Sequence, residues 1–165
     1  MNEELQIILE TTKKVLQKNI NHQLRQNIDQ NKNDIINLWN EVEELGLPKI
    51  VVKEKFDGFN LGFASVLPII QLSNSLGAPI PLSETILCNY ILSECDINPP
   101  EGMITFANIA KNIKISGNEL SGELISVPYL NLTDKIMFVT KIDGVEKVVF
   151  FQNSNLDIVQ NKNFL

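Results

Sequence analysis

Few residues of this chain could carry out acid–base or metal chemistry, and they lie far apart in the sequence. The single histidine, His22, has no cysteine or acidic pair near it, which favours a solvated loop residue over a zinc ligand. Glu41, Glu43 and Glu44 lie beside the apolar stripe of a predicted helix, where a solvated face is favoured over a catalytic carboxylate pair. The residues themselves therefore predict no metal site and identify no catalytic residue.

Motifs for phosphate binding and thiol chemistry are also missing. The chain contains no P-loop, no GxGxxG and no CxxC. Ser-Gly pairs at 116–117 and 121–122 could contact a phosphate, but their position at a predicted hairpin favours turns. Cys88 and Cys95 are seven residues apart on a predicted helix, about 10 Å along its axis, which is too far for a disulfide. We expect core or half-buried free thiols in a reducing cytoplasm.

The composition is that of a folded protein without affinity for nucleic acid. Of its 165 residues, 44% are hydrophobic and 21% are charged, which suits one ordinary domain or two small ones. The net charge of −6 and the lack of a Lys/Arg cluster argue against binding to a phosphate backbone. The longest apolar run, near 61–72, is too short for a membrane span, and the amino terminus does not resemble a secretory signal. A cytoplasmic protein is the expectation.

Apolar residues follow a helical spacing in the first part of the chain. A first helix is predicted over 3–18, followed by a polar connection over 19–33. The second helix is predicted to begin at Asn33, its N-cap, and to end at Gly46. Its predicted buried residues are Ile35, Trp39 and Val42.

The segments that follow predict one short extended stretch and two more helices. Residues 50–52 form the extended stretch. Residues 61–76 are apolar on nearly every side and predict a buried helix, in which Pro68 either causes a kink or marks the true start. Pro81 suits the first turn of a last helix that extends to about Ser93.

Beyond residue 101 the apolar residues alternate as they do in strands. The candidate strands cover 103–109, 113–115, 120–127, 135–141, 145–151 and 156–159. Asp143-Gly144 is a strong hairpin signal between two of them. The expected fold class is therefore α+β: an amino-terminal helical bundle over 1–100, followed by a small antiparallel β-domain over 101–165.

Three stretches of the chain read, in order, LWNEVEELGLPKIVVKEKFDGFNLGFASVLPIIQLSNSLG, GAPIPLSETILCNYIL and LSGELISVPYLNLTDKIMFVTKIDGVEKVVFF. Together, and in this order, they resemble the acyl-CoA dehydrogenase family. The first is similar to the family's Leu-Trp start, Leu-Gly-Leu corner, acidic loop and long apolar helix. The second is similar to the Pro-x-Pro connection and next helix, and the third to the middle β-domain with its Leu-x-Gly. The likeness covers most of residues 35–151.

The resemblance implies a flavoprotein that acts on thioesters. Family members remove a proton and a hydride from the α and β carbons of an acyl-CoA, with a glutamate as base and FAD as hydride acceptor. They have a helical domain, a middle β-domain and a carboxy-terminal four-helix domain, and the flavin and thioester lie between the last two. FAD is thus the implied cofactor, and acyl-CoA is the implied substrate of the assembled site.

The chain departs from the family pattern where the flavin would be held. The usual Thr-Glu-Pro and Gly-Ser-Asp segment after the first strand is missing between residues 104 and 113. In register from Gly122, Leu124 stands for the family's Lys, Ser126 for its Trp and Pro128 for its Thr. Proline offers the flavin neither a hydroxyl nor a backbone N–H. No flavin-contact residue is therefore carried over from the family.

Two further departures concern the acidic loop and the base. Lys53 replaces the family's proline, and Asp57 replaces the first loop glycine. The family's base belongs to the carboxy-terminal domain, which these 165 residues do not include. We therefore expect the chain alone to bind no FAD and to have no activity.

Two functional hypotheses follow from this pattern of likeness and departure. One is a divergent dehydrogenase whose remaining part is encoded elsewhere, and the other is a non-catalytic subunit that completes the site of a partner dehydrogenase. A generic α+β domain with an accidental likeness is the third reading.

Strands that are apolar on both faces predict a partner chain or a homo-oligomer, since one sheet face would otherwise be uncovered. The faces are predicted as Ile136, Phe138, Val148 and Phe150 on one side, and Met137, Val139, Val149 and Phe151 on the other.

Overall fold

A helical unit precedes two small sheets in the computed structural model, which describes residues 3–22, 24, 32–117, 119–133 and 135–152. The helices are α1 (Glu3–Asn19), α2 (Lys32–Glu44), α3 (Phe63–Ser75) and α4 (Leu82–Glu94). The strands are β1 (Thr105–Phe106), β2 (Ile109–Ser116), β3 (Glu119–Ile125), β4 (Lys135–Ile142) and β5 (Val145–Gln152). The predicted change from helices to strands near residue 100 and the α+β class are confirmed.

The helical unit is held together by one apolar core. Leu16 of α1, Trp39 of α2 and Ile69 of α3 are buried in it. The predicted buried residues of α2 are confirmed, and Leu38 joins them. Full burial of a side chain such as Leu16 contributes about 1.5–3 kcal/mol relative to exposure. The helical spacing of the apolar residues therefore predicted the face that packs.

The connection between α1 and α2 differs from the polar loop that was predicted. His22 and Leu24 have helical backbone, and Leu24 is buried. The Oδ1 atom of Asn21 accepts a hydrogen bond of 2.8 Å from the Leu24 amide, as an N-cap side chain does. Asn33 lies inside α2, which includes Lys32, so the predicted cap at Asn33 is wrong. Residues 25–31 lie outside the described part of the chain.

Two predictions for the middle of the helical unit are also wrong. Residues 50–52 form a hydrogen-bonded turn rather than an extended stretch, because the Val52 amide donates to the Lys49 carbonyl. Helix α3 is not buried on all sides, since Leu67 is 52% exposed. Pro68 lies within α3 and leaves the carbonyl of Ala64 without its helical partner. Ala64 is exposed, so water can satisfy that carbonyl.

The β part consists of a three-stranded sheet and a two-stranded hairpin. The first sheet has the order β1-β4-β5, with β1 parallel to β4 and β4 antiparallel to β5, and the second pairs β2 with β3. The prediction of a purely antiparallel unit is therefore wrong for β1. Both predicted hairpins are present. The predicted strand at 156–159 lies outside the described residues.

The register of the β4–β5 hairpin corrects the predicted faces. The turn residues Asp143 and Gly144 both have positive φ, as a two-residue type I′ turn requires, so Ile142 pairs directly with Val145. Every residue of one strand then lies opposite a residue of opposite parity on the other. One face is formed by Ile136, Phe138, Val149 and Phe151, and the other by Met137, Val139, Val148 and Phe150.

Both faces of this sheet are covered near its base. The Ile136 face packs on the β2–β3 hairpin, and the Met137 face packs on Cys88 and Leu92 of α4. The end of the hairpin toward the turn is open on both faces, since Val139 and Val148 on the second face are 46% and 43% exposed and Val145 on the first face is 59% exposed. The uncovered patch is thus confined to the end of the hairpin, which is smaller than the whole face that was expected.

Candidate functional site

The segment after β3, where the family pattern would place its flavin contacts, is fastened to the end of β1. The Oγ1 atom of Thr105 donates a hydrogen bond of 2.6 Å to the Pro128 carbonyl. The Nδ2 atom of Asn108 donates to the Ser126 carbonyl at 3.2 Å. Ser126 and Tyr129 both have positive φ, so the chain turns sharply on each side of Pro128. These contacts fix the turn against the first sheet.

A bulge sets the register that leads into this segment. Asn112 and Ile113 of β2 lie opposite the single residue Gly122 of β3, between the pairs that flank them. A Cβ atom on Gly122 would lie 2.6 Å from Cδ1 of Ile113 and 2.9 Å from the Lys111 carbonyl, and the φ of Gly122 is 144°. Only glycine fits there, which agrees with the Leu-x-Gly of the resembling stretch.

The residues in this register do not fit a flavin ring. Pro128 has no N–H to donate, and its carbonyl already accepts the hydroxyl of Thr105. Ser126 is exposed, and its small side chain supplies no aromatic surface. Leu124 packs with the apolar cluster beneath the β2–β3 hairpin and supplies no charge. The side chains of this segment therefore do not match the ring contacts that the family pattern implies for FAD.

The two replaced positions of the acidic loop have structural roles. The backbone N–H of Lys53, which a proline would lack, donates to Oγ of Ser93 at 3.1 Å. The Lys53 ammonium contacts the Ser93 carbonyl and the Glu94 carboxylate, both at 3.1 Å. Asp57 adopts a left-handed conformation in place of the glycine. Gly58 remains, because a Cβ atom there would lie 2.1 Å from the Val52 carbonyl.

The three glutamates of α2, predicted to lie on a solvated face, differ in their surroundings, since Glu44 is exposed and Glu41 and Glu43 are half-buried. Glu43 accepts hydrogen bonds from Nε1 of Trp39 at 3.2 Å and from the Gly102 amide at 2.6 Å. Glu41 pairs with Lys18 of α1 at 3.0 Å, and that hydrogen bond lowers the pKa of the Glu41 carboxyl. Glu44 is exposed. Glu43 thus joins α2 to the start of the β part, so its contacts are structural.

Neither the histidine nor the cysteines form a reactive centre. His22 is exposed, and no group of three potential metal ligands occurs among the described residues. Both cysteines are free, Cys88 buried and Cys95 exposed. Burial, with a smaller effect of the Glu84 charge, raises the pKa of Cys88 to about 12, so its thiol is unreactive near neutral pH. The prediction of free thiols is confirmed, but Cys95 is more exposed than expected.

Comparisons with known proteins find the same fold in a solved dehydrogenase. No protein-family model and no curated protein matches the sequence. A solved chain, from a variant of the Tcur3481-Tcur3483 steroid ACAD (acyl-CoA dehydrogenase), is similar with a TM-score of 0.75 and 17% identity. The likeness covers 91% of this chain and 48% of that chain, so this chain spans about half the length of the solved one. The described residues therefore have an acyl-CoA dehydrogenase fold.

Proposed function

We propose that this chain is an acyl-CoA dehydrogenase-type polypeptide that is not catalytic by itself and that completes the site of a partner dehydrogenase. The assembly would remove a proton and a hydride from an acyl-CoA thioester, with FAD as hydride acceptor. The observation that carries this proposal is the fold likeness over 91% of the chain. The order of the three resembling stretches in the sequence supports it independently.

The non-catalytic role rests on the turn after β3. Ser126 and Pro128 supply no ring contact, and the Thr105 hydroxyl occupies the one carbonyl that Pro128 offers. In the proposed assembly this chain would position the β part, while the partner would supply the base and the flavin contacts. The rival hypothesis, a divergent enzyme completed by a separate polypeptide, predicts FAD bound at this turn once that polypeptide is present.

The proposed partner surface is the open end of the β4–β5 hairpin. Val139 and Val148 are adjacent cross-strand neighbours and are both exposed. Val145 next to the turn is 59% exposed on the opposite face, so it adds apolar surface to this end of the hairpin but not to the Val139–Val148 patch. Apolar residues that cluster at one end of a sheet are typical of a protein contact. The solved relative is named for two components, which supports an assembly of two chains.

Two further parts of the proposal concern organisation and location. We place the domain boundary near residue 100, between a helical domain assigned to 1–100 and a partial β-domain assigned to 101–165, and the Glu43–Gly102 contact links the two parts. The free thiols of Cys88 and Cys95 support a cytoplasmic location. No helix among the described residues is long and apolar enough to cross a membrane.

Co-expression with a candidate partner dehydrogenase chain tests the proposal. We expect a stable complex on gel filtration that dehydrogenates acyl-CoA. Val148→Lys should weaken the association at least about tenfold, since it places a charge in the contact. Ile7→Lys on the exposed side of α1 is the matched control and should leave it unchanged. A chain that stays monomeric and does not bind the partner would contradict the proposal. FAD bound to this chain's own turn in the complex would favour the rival hypothesis.

A further inference from the structure

A cavity of about 370 Å³ lies where the turn after α3 meets the turn after β3. Its lining residues are Asn74, Gly77, Ala78, Pro79, Tyr129, Asn131 and Leu132. The volume falls within the range of small-molecule sites in proteins. Both walls are hydrogen-bonded turns, because the Ala78 amide donates to the Ser73 carbonyl and the Leu132 amide donates to the Tyr129 carbonyl. The shape is therefore built into the fold.

The lining combines an apolar part with uncharged hydrogen-bonding groups. Ala78 and Leu132 pack against the core of the helical unit and present carbon atoms to the cavity. Asn74 and Asn131 are exposed at its edge and supply amide groups. Tyr129 is half-buried and supplies a hydroxyl. Such a lining suits a ligand with an apolar body and a single polar group.

The electrostatics of the cavity disfavour an anion. None of the seven lining residues is ionised at neutral pH. Burial, and secondly the negative charge of Glu84, raise the pKa of Tyr129, so its hydroxyl keeps its proton and can donate a hydrogen bond. The net charge of −6 also disfavours an anionic ligand, because it repels negative charge. The lining therefore offers no positive charge to a phosphate or carboxylate.

We propose that this cavity is a binding site for a small uncharged molecule with an apolar body and one carbonyl or amide group. The Tyr129 hydroxyl donates to the ligand carbonyl, while Ala78 and Leu132 contact the apolar body. Asn131 lies at the exposed edge. This inference does not depend on the proposed dehydrogenase role, because it uses only the lining of the cavity.

Equilibrium dialysis of the full chain, in the assembly in which it purifies, tests the site. The probes are 2-naphthamide and 2-naphthoate, which share one shape and differ in charge. The amide should bind at least about tenfold more tightly than the carboxylate, since a charge buried without a partner is costly. Tyr129→Phe should weaken amide binding about three- to tenfold through loss of one hydrogen bond.

A pair of matched tryptophan variants locates the binding. Asn131→Trp fills the mouth of the cavity and should abolish binding of 2-naphthamide. Asn98→Trp places the same side chain at another exposed position and should leave it unchanged. The proposal is overturned if wild type does not bind the amide up to its solubility limit. It is equally overturned if the two probes bind alike, if Asn131→Trp and Asn98→Trp behave alike, or if Tyr129→Phe has no effect.

Discussion

Replacement of Glu43 by alanine should destabilise the chain by about 2–3 kcal/mol. The change removes the acceptor of two hydrogen bonds, from Nε1 of Trp39 and from the Gly102 amide. A hydrogen bond to a charged group contributes about 1.5–3 kcal/mol. Because Glu43 is partly exposed, water can replace part of the hydrogen-bond energy that the mutation removes. A negative charge near the carboxyl end of a helix is unfavourable, so its removal from α2 stabilises the chain by about 0.5 kcal/mol. Two such bonds would contribute about 3–6 kcal/mol, and the water and helix-dipole effects together reduce this to the expected value of about 2–3 kcal/mol.

Urea unfolding followed by tryptophan fluorescence measures this effect, because Trp39 is the single tryptophan of the chain. A loss of about 2–3 kcal/mol corresponds to a midpoint lower by about 1 M urea. Glu44→Ala is the matched control, since it also removes a charge from the end of α2 but no described contact, and it should change stability by less than about 0.5 kcal/mol. Glu43→Gln keeps one carbonyl oxygen as an acceptor, so its urea midpoint should lie between those of Glu43→Ala and Glu44→Ala. Equal midpoints for Glu43→Ala and Glu44→Ala would refute the role of Glu43 as a structural link.

Three further predictions follow from burial and hydrogen bonding. Trp39→Ala should cost about 3–5 kcal/mol, measured by circular dichroism in urea, and a loss under about 1 kcal/mol would show that the indole does not pack in the core. Iodoacetamide at pH 8 should modify Cys95 quickly and Cys88 only after unfolding. Because burial raises the pKa of Cys88 to about 12, the thiol ionises above about pH 9 only in the unfolded state, so the free energy of unfolding should fall as pH rises above about 9. Equal labelling rates for Cys88 and Cys95 would contradict the burial of Cys88. Thr105→Val should cost about 1–2 kcal/mol by leaving the Pro128 carbonyl unpaired, whereas Thr140→Val on β4 serves as the control and should change little.

The helices and hairpins could be predicted because their signals are local. The spacing of Ile35, Trp39 and Val42 identified the packed face of α2 without any tertiary information. Asp143-Gly144 likewise identified the β4–β5 turn. The register that this turn imposes could also have been worked out, since a two-residue loop pairs Ile142 with Val145. The predicted faces are wrong because they group residues of the same parity on β4 and β5, whereas this turn pairs residues of opposite parity.

Features that depend on distant residues could not be predicted. The β1 strand has two residues and forms only by parallel pairing with β4, thirty positions later. The contact of Glu43 with the Gly102 amide spans 59 positions, and nothing in the spacing of α2 indicates it. Residues 50–52 are β-branched but form a turn, because the Asn60 and Leu61 amides donate to the carbonyls of Val52 and Ile50. Tertiary hydrogen bonds there outweigh strand propensity.

The turn after β3 could be read from the sequence only as a departure from the family pattern at Ser126 and Pro128. The hydrogen bond from Thr105 to the Pro128 carbonyl, which joins this turn to β1, had no local signal. The cavity beside Tyr129 had no sequence signal, because its lining combines two turns about fifty residues apart. Asparagine, glycine and proline in those turns look like ordinary loop residues.

The flavin content of the purified full chain tests the central claim most directly. The visible absorption spectrum is recorded after gel filtration with excess FAD, and dye reduction is measured with an acyl-CoA. The proposed non-catalytic role predicts no retained flavin and no reduction by the chain alone, with both appearing once the partner dehydrogenase is added. A stoichiometric flavin spectrum and acyl-CoA-dependent reduction by this chain alone would contradict it.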